Sequence, residues 1–140
     1  MSNNSTKNVL DLMRVHYTAL RSLAEQLWGD EKDIPITISE WYILSSIQDG
    51  NDTITKICSK YDMSRQAAHK FIKGLEGKGI VSSTLSTERK GKKVISLTEL
   101  GIDCYTETVV LKNKIDLQIS ERLGKDNFQR LIDLLDREWI

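Results

Sequence analysis

The chain has 140 residues, enough for one domain that buries roughly two-thirds of the surface exposed by its unfolded form. Hydrophobic residues make up 39% and charged residues 29%, the balance of a globular protein, and no apolar run approaches a membrane span. Basic and acidic side chains cancel at 20 each, while the two cysteines, Cys58 and Cys104, are too few for a disulfide framework and fit no metal spacing. The opening "MSNNSTKNVLDLMRV" lacks the apolar core of a signal peptide, so a cytoplasmic location is expected. From residue 8 to 28, Val9, Leu12, Met13, Leu20, Leu23, Ala24 and Leu27 recur at helical spacing. After the polar break "GDEKDIP", Thr37 stands three residues before Glu40 as a capping box, and Trp41, Leu44 and Ile47 follow along one face.

A short helix, "TITKICSKYD", places Ile54, Ile57 and Tyr61 inward behind Thr53 or Asp52 as cap. The tight connection "MS" leads into "SRQAAHKFIKGLEGKGIV", residues 64–81, with Ser64 placed as N-cap and Gly79 as C-cap. Next, "IVSSTLS" alternates Val81, Ser83 and Leu85 on one face, and "KVISL" sets Ile95 with Leu97, with the basic tip "TERKGKK" between them. Thr98 then caps a helix with Leu100, Cys104, Leu111 and Ile115 on one face. A last helix carries Phe128, Leu131, Ile132, Leu135 and Trp139. The fold class read from this order is mainly α with a small β-hairpin.

The neutral net charge hides an uneven distribution. Residues 56–93 hold ten Lys/Arg against three acids, a net +7, which leaves −7 on the remainder. Such asymmetry concentrates positive potential where phosphate would be met. Residues 64–81 show why. At 100° per residue Ala68, Phe71, Ile72 and Leu75 share a core-facing arc, and Gln66, His69, Lys70 and Lys73 lie opposite without a carboxylate among them. A short helix, a tight turn and a helix with a polar, basic N-terminal half form a helix-turn-helix, whose second helix enters the major groove. Gln66, Ala67, His69 and Lys70 are the candidates for base edges, and Arg65 for phosphate or base beside the Ser64 cap. Lys73, Lys56 and Lys60 are candidates for the DNA backbone. So are Arg89, Lys90, Lys92 and Lys93 on the loop, which makes the hairpin a wing.

Three stretches, "ITISEWYILSSI", "SRQAAHKFIKGLEGKGIV" and "VISLTELG", resemble the MarR family of transcriptional regulators in order and separation. They are similar to its L-T-x-x-[QE]-[WF]-x-x-L helix, its S-R-x-x-V-x-x-x-I-x-x-L-E-x-K-G recognition helix, and the strand with LT-x-x-G that begins its long helix. The resemblance implies a winged helix-turn-helix over residues 36–98, with dimerisation through residues 7–30 and 99–140. A homodimer would bind double-stranded DNA at a pseudo-palindrome as a ligand-responsive repressor, its half-sites about one helical turn apart. The apolar stripes at 9–27, 111–123 and 128–139 fit an intermolecular core, with packing inside one chain as the alternative. The family's wing commonly carries D-x-R, where equal-length alignment puts Arg89, Lys90 and Gly91, so reach into the minor groove falls to Arg89 or Lys90. Gly74 and Gly77 lie away from the base-reading half and are read as tolerated or as allowing close packing.

Family members often bind small aromatic acids in a crevice between the dimer helices and the DNA lobe, which makes His16 a candidate for a ligand pocket, or else a packing or surface residue. Some relatives sense oxidants through a cysteine. Buried structural thiols are the expected state of Cys58 and Cys104. No metal, cofactor or catalytic machinery is expected, because two histidines without a phosphate loop or nucleophile elbow leave no nucleophile and base to assign. A winged helix docking an acidic protein partner is the alternative function.

Overall fold

The computed structural model describes residues 7–86 and 91–140. In chain order these form α1 (Val9–Glu31), α2 (Ile38–Gln48), α3 (Ile54–Tyr61), α4 (Arg65–Gly77), β1 (Val81–Ser86), β2 (Lys92–Leu97), α5 (Glu99–Leu123) and α6 (Lys125–Leu135). Five helices start on side-chain caps, each worth about 1 kcal/mol. Asn8 Oδ1 accepts from Asp11 N at 2.9 Å, Thr53 Oγ1 from Lys56 N at 3.2 Å, Ser64 Oγ from Ala67 N at 3.1 Å and Thr98 Oγ1 from Gly101 N at 3.0 Å. Thr37 and Glu40 form the expected capping box, Glu40 N donating to Thr37 Oγ1 and Thr37 N to Glu40 Oε1. At α3 the cap is Thr53.

The core gathers at the meeting of α2, α4, the hairpin base and α5. Trp41, Ile43, Leu44, Ile57, Ala68, Leu75, Ile80 and Leu111 are fully buried, with Trp28, Ile95 and Cys104 against them. Trp28 and Trp41 pack edge to face with centroids 5.9 Å apart, and the Trp28 indole N–H donates to the Ile34 carbonyl at 2.6 Å. The end of α4 is a Schellman turn: Ile80 N donates to Leu75 O and Gly79 N to Glu76 O, both at 3.0 Å. The C-cap is therefore Lys78, one residue before the expected Gly79, which takes the left-handed φ of 76° that glycine tolerates. The buried pair Leu75 and Ile80 closes the motif.

Several apolar positions read from periodicity lie outside this core. Val9, Leu12 and Met13 are exposed at the start of α1, as are Leu131, Ile132 and Leu135 on α6, and Trp139 stands beyond the end of α6. Leu100 is exposed as well, because α5 turns Gly101 and not Leu100 toward the hairpin base. Leu85 shares a face with buried Val81, yet it is 73% exposed, since the antiparallel strands run past the end of the core. Period-2 alternation marks a face; it cannot say where the protein beneath that face stops.

Of the two readings of Gly74 and Gly77, tolerance fits the structure and close packing does not. A Cβ added to Gly74 or Gly77 would meet no atom within 4 Å, so neither allows close packing. Gly74→Ala is accordingly expected to stabilise the protein by about 0.5–1 kcal/mol, the cost of glycine inside a helix, and thermal unfolding would register it as a raised midpoint. An unchanged or lower midpoint would mean that α4 needs the glycine for another reason.

Candidate nucleic-acid interface

Helices α3 and α4 pack against each other across the link Asp62–Met63–Ser64, in which Asp62 takes a left-handed φ of 47°. Aspartate tolerates that region better than most residues and so can end α3 sharply. Arg65 is held back across the turn, its Nη1 donating to Thr55 Oγ1 at 3.3 Å. From there Gln66, His69, Lys70 and Lys73 are all exposed, and Ala67 is half-buried. The only acid on α4, Glu76, accepts a hydrogen bond from the Ser83 hydroxyl on β1, so it is turned to the hairpin. Gln66, His69, Lys70 and Lys73 thus share one exposed surface without a carboxylate.

The basic count over residues 56–93 overstates the free positive charge. Lys60 Nζ lies 3.2 Å from Asp49 Oδ2 and over the Tyr61 ring at 5.6 Å, and the Asp49 hydrogen bond, with Tyr61 beside it, raises its pKa. Lys56 lies 3.9 Å from Asp52. Lys78 donates to the Pro35 carbonyl at 2.6 Å and to Glu40 Oε2 at 3.3 Å. Asp49, Asp52 and Glu40 all precede the window in sequence and fold back onto it. Arg65, Lys70, Lys73, Lys92 and Lys93 make no ion pair among the described residues.

In the hairpin β1 and β2 pair antiparallel, Val81 opposite Leu97 and Ser86 opposite Lys92. Exposed Lys92 and Lys93 lead out from Gly91, whose φ is 78°. Arg89 and Lys90, the candidates for the minor groove, lie outside the described residues. The hairpin base is fixed by Ile95 N, which donates to Asp52 O at 2.8 Å, and by Thr98 N, which donates to Ile80 O at 3.0 Å.

His16 is exposed on α1. A cavity of about 450 Å³ does open beside α1, but Glu25, Trp28, Lys32, Pro35, Ile36 and Thr37 are among its lining residues and His16 is not. Sequence reading missed Lys112 on α5, whose ammonium donates to Ser45 Oγ on α2 at 3.2 Å and whose pKa is pushed down by burial. Nothing in a 67-residue separation signals that contact. Cys104 is buried as expected, and burial raises its thiol pKa, with Asp103 adding to the rise and Lys32 opposing it; Cys58 is half-buried. No group of His, Cys, Asp and Glu suited to a metal ion occurs among the described residues. Among these residues no helix is long and apolar enough to cross a membrane.

Comparison by sequence with family models and with characterised proteins finds no match. The similarity is in the fold. The reduced form of MarR from E. coli superposes with a TM-score of 0.81 at 18% identity, over 91% of this chain and 93% of that one. MepR of S. aureus, in its complex with DNA, gives 0.75 at 18% identity over 95% of each chain. Bordetella bronchiseptica BpsR, whose DNA binding is regulated by 6-hydroxynicotinic acid, gives 0.75 at 16% identity over 96% of each. With its helix-turn-helix, wing and flanking helices in the same order over nearly the whole chain, the protein has the fold of the MarR-family transcriptional regulators.

Proposed function

We propose that the protein is a sequence-specific DNA-binding transcriptional regulator, a homodimeric repressor of a pseudo-palindromic operator that a small molecule releases. The observation that carries this reading is the exposed first half of α4, with glutamine, histidine and lysines outward and its one acid turned to Ser83. Arg65, restrained by Thr55, approaches the backbone at the helix start, and Gln66 suits adenine through a bidentate pair. Ala67 offers a methyl group at the groove floor, while His69 and Lys70 offer donors for guanine. Lys73, Lys92 and Lys93 neutralise phosphates, with Lys56 and Lys60 reduced in that role by their acid partners.

Residues 36–98 form the DNA lobe in this reading, and 7–30 with 99–140 the dimerisation region. The apolar side chains left exposed on α1, on the end of α5 and on α6 support the pairing of two copies. Regulation of BpsR by an aromatic acid and the DNA complex of MepR support the corresponding roles here.

Selection of an operator from a random duplex pool, followed by titration, tests the reading. Gln66→Ala is expected to cost about 1–3 kcal/mol on the operator and to relax one base position. Lys92→Ala is expected to weaken all sequences alike and to lower the salt slope by about one. If both variants bind operator and random duplex like wild type, α4 and the wing are not the interface. An acidic-protein docking module would select no operator. A reporter behind the operator should rise when the protein is removed, which separates repression from activation.

A further inference from the structure

Lys78 is the last basic residue of the recognition-helix motif, and by charge alone it belongs with the phosphate-binding lysines. Its surroundings say otherwise. The ammonium donates to the Pro35 carbonyl at 2.6 Å and to Glu40 Oε2 at 3.3 Å, contacts that span 43 and 38 residues of sequence. The Glu40 side chain is 7% exposed, and its other oxygen, Oε1, accepts from Thr37 N and Thr37 Oγ1 in the capping box. Lys78 is also the C-cap of α4, next to the Schellman turn that leads into β1. One ammonium therefore joins the far end of the recognition helix to the start of α2 and to the α1–α2 connection.

We propose that Lys78 is a positioning residue for DNA reading: with Glu40 and the Pro35 carbonyl it fixes the angle at which α4 presents Gln66, His69 and Lys70, without touching DNA. This rests on the DNA-binding reading of α4. A helix pivoting about its C-terminal end moves its N-terminal end furthest, and the base-reading residues lie there. Base-edge contacts demand tight geometry, whereas phosphate attraction tolerates small displacements. Loss of the tie is thus felt in discrimination between sequences and not in general affinity for DNA.

The test measures binding of Lys78→Met to the selected operator and to random duplex across a salt series, beside wild type, Lys92→Ala and Lys78→Arg. The expected result for Lys78→Met is a loss of about tenfold or more on the operator, the scale of one base contact, with random-duplex affinity and salt slope unchanged. Lys78→Arg, which keeps a donor in reach of both oxygens, restores most of the operator affinity. A salt slope lowered by about one, with operator and random duplex weakened equally, would make Lys78 a phosphate contact and overturn the proposal. Unchanged operator binding would overturn it as well. Should Lys78→Met not fold, Glu40→Gln weakens the same tie while keeping the cation: operator affinity is expected to fall with random-duplex binding unchanged, whereas a gain on all sequences, from a lysine freed for phosphate, or unchanged operator binding would overturn the proposal. A wild-type protein that selects no operator refutes the DNA-binding reading instead, so the two failures are distinguishable.

Discussion

Gly101→Ala is expected to destabilise the protein by about 2–4 kcal/mol and to lower its melting temperature by roughly 10 °C, read by circular dichroism. An alanine Cβ at this position would stand 2.0 Å from the Ile80 carbonyl oxygen and 3.2 Å from Leu97 Cβ. The oxygen has little freedom to withdraw, since it accepts from Thr98 N at 3.0 Å and the Thr98 hydroxyl holds the preceding Gly79 carbonyl at 2.6 Å. Relief requires the start of α5 to move off the hairpin base, opening the core around Ile80, Ile95 and Cys104. Helix propensity favours alanine over glycine by about 1 kcal/mol, so the clash decides the sign here, whereas propensity decides it at unobstructed Gly74. A melting temperature equal to that of wild type would show that α5 and the hairpin base are less tightly apposed than described.

In the proposed homodimer, Leu131→Asp with Leu135→Asp is expected to abolish dimerisation and to reduce operator affinity by about 10²- to 10⁴-fold, because two linked half-site contacts become one. The two leucines lie one helical turn apart on α6, where no residue is buried, so their replacement leaves the chain's own core intact. Burying a carboxylate in an apolar seam costs far more than the leucine it replaces contributed. Light scattering gives the readout, a mass falling from twice to once the 16.0 kDa of the chain. If the variant remains dimeric and binds operator normally, two copies meet through some other surface.

What could be read from the sequence was local chemistry. The caps at Thr37, Ser64 and Thr98 follow from a side chain and an amide three residues on, and the two-faced character of α4 follows from helical period. Contacts between distant residues were not legible. Gly101 closes the stretch "VISLTELG", but the Ile80 carbonyl that forbids a side chain there is 21 positions earlier. Lys78 adds to the positive count of the charge window, yet Glu40 and the Pro35 carbonyl occupy it. The same holds for Lys60 and Lys56, because a charge window counts residues in sequence and Asp49 and Asp52 lie just outside it. Apolar stripes at Val9, Leu12 and Leu131 were correctly seen as faces, but periodicity is silent on whether the chain itself covers them.

The bond between Glu76 and Ser83, with the hairpin base held by Asp52 and Ile80, has a mechanical consequence. The end of the recognition helix is tied directly to the first strand of the hairpin, and the hairpin base is tied to the chain before α3 and to the start of α5. In the proposed complex they act as the two fixed jaws of a caliper, each protomer measuring one set distance along the duplex. Adjustable travel is then left between the two calipers of a dimer. An inserted base pair inside one half-site should defeat binding outright, while a changed spacing between half-sites is the variable that a small-molecule signal can act upon.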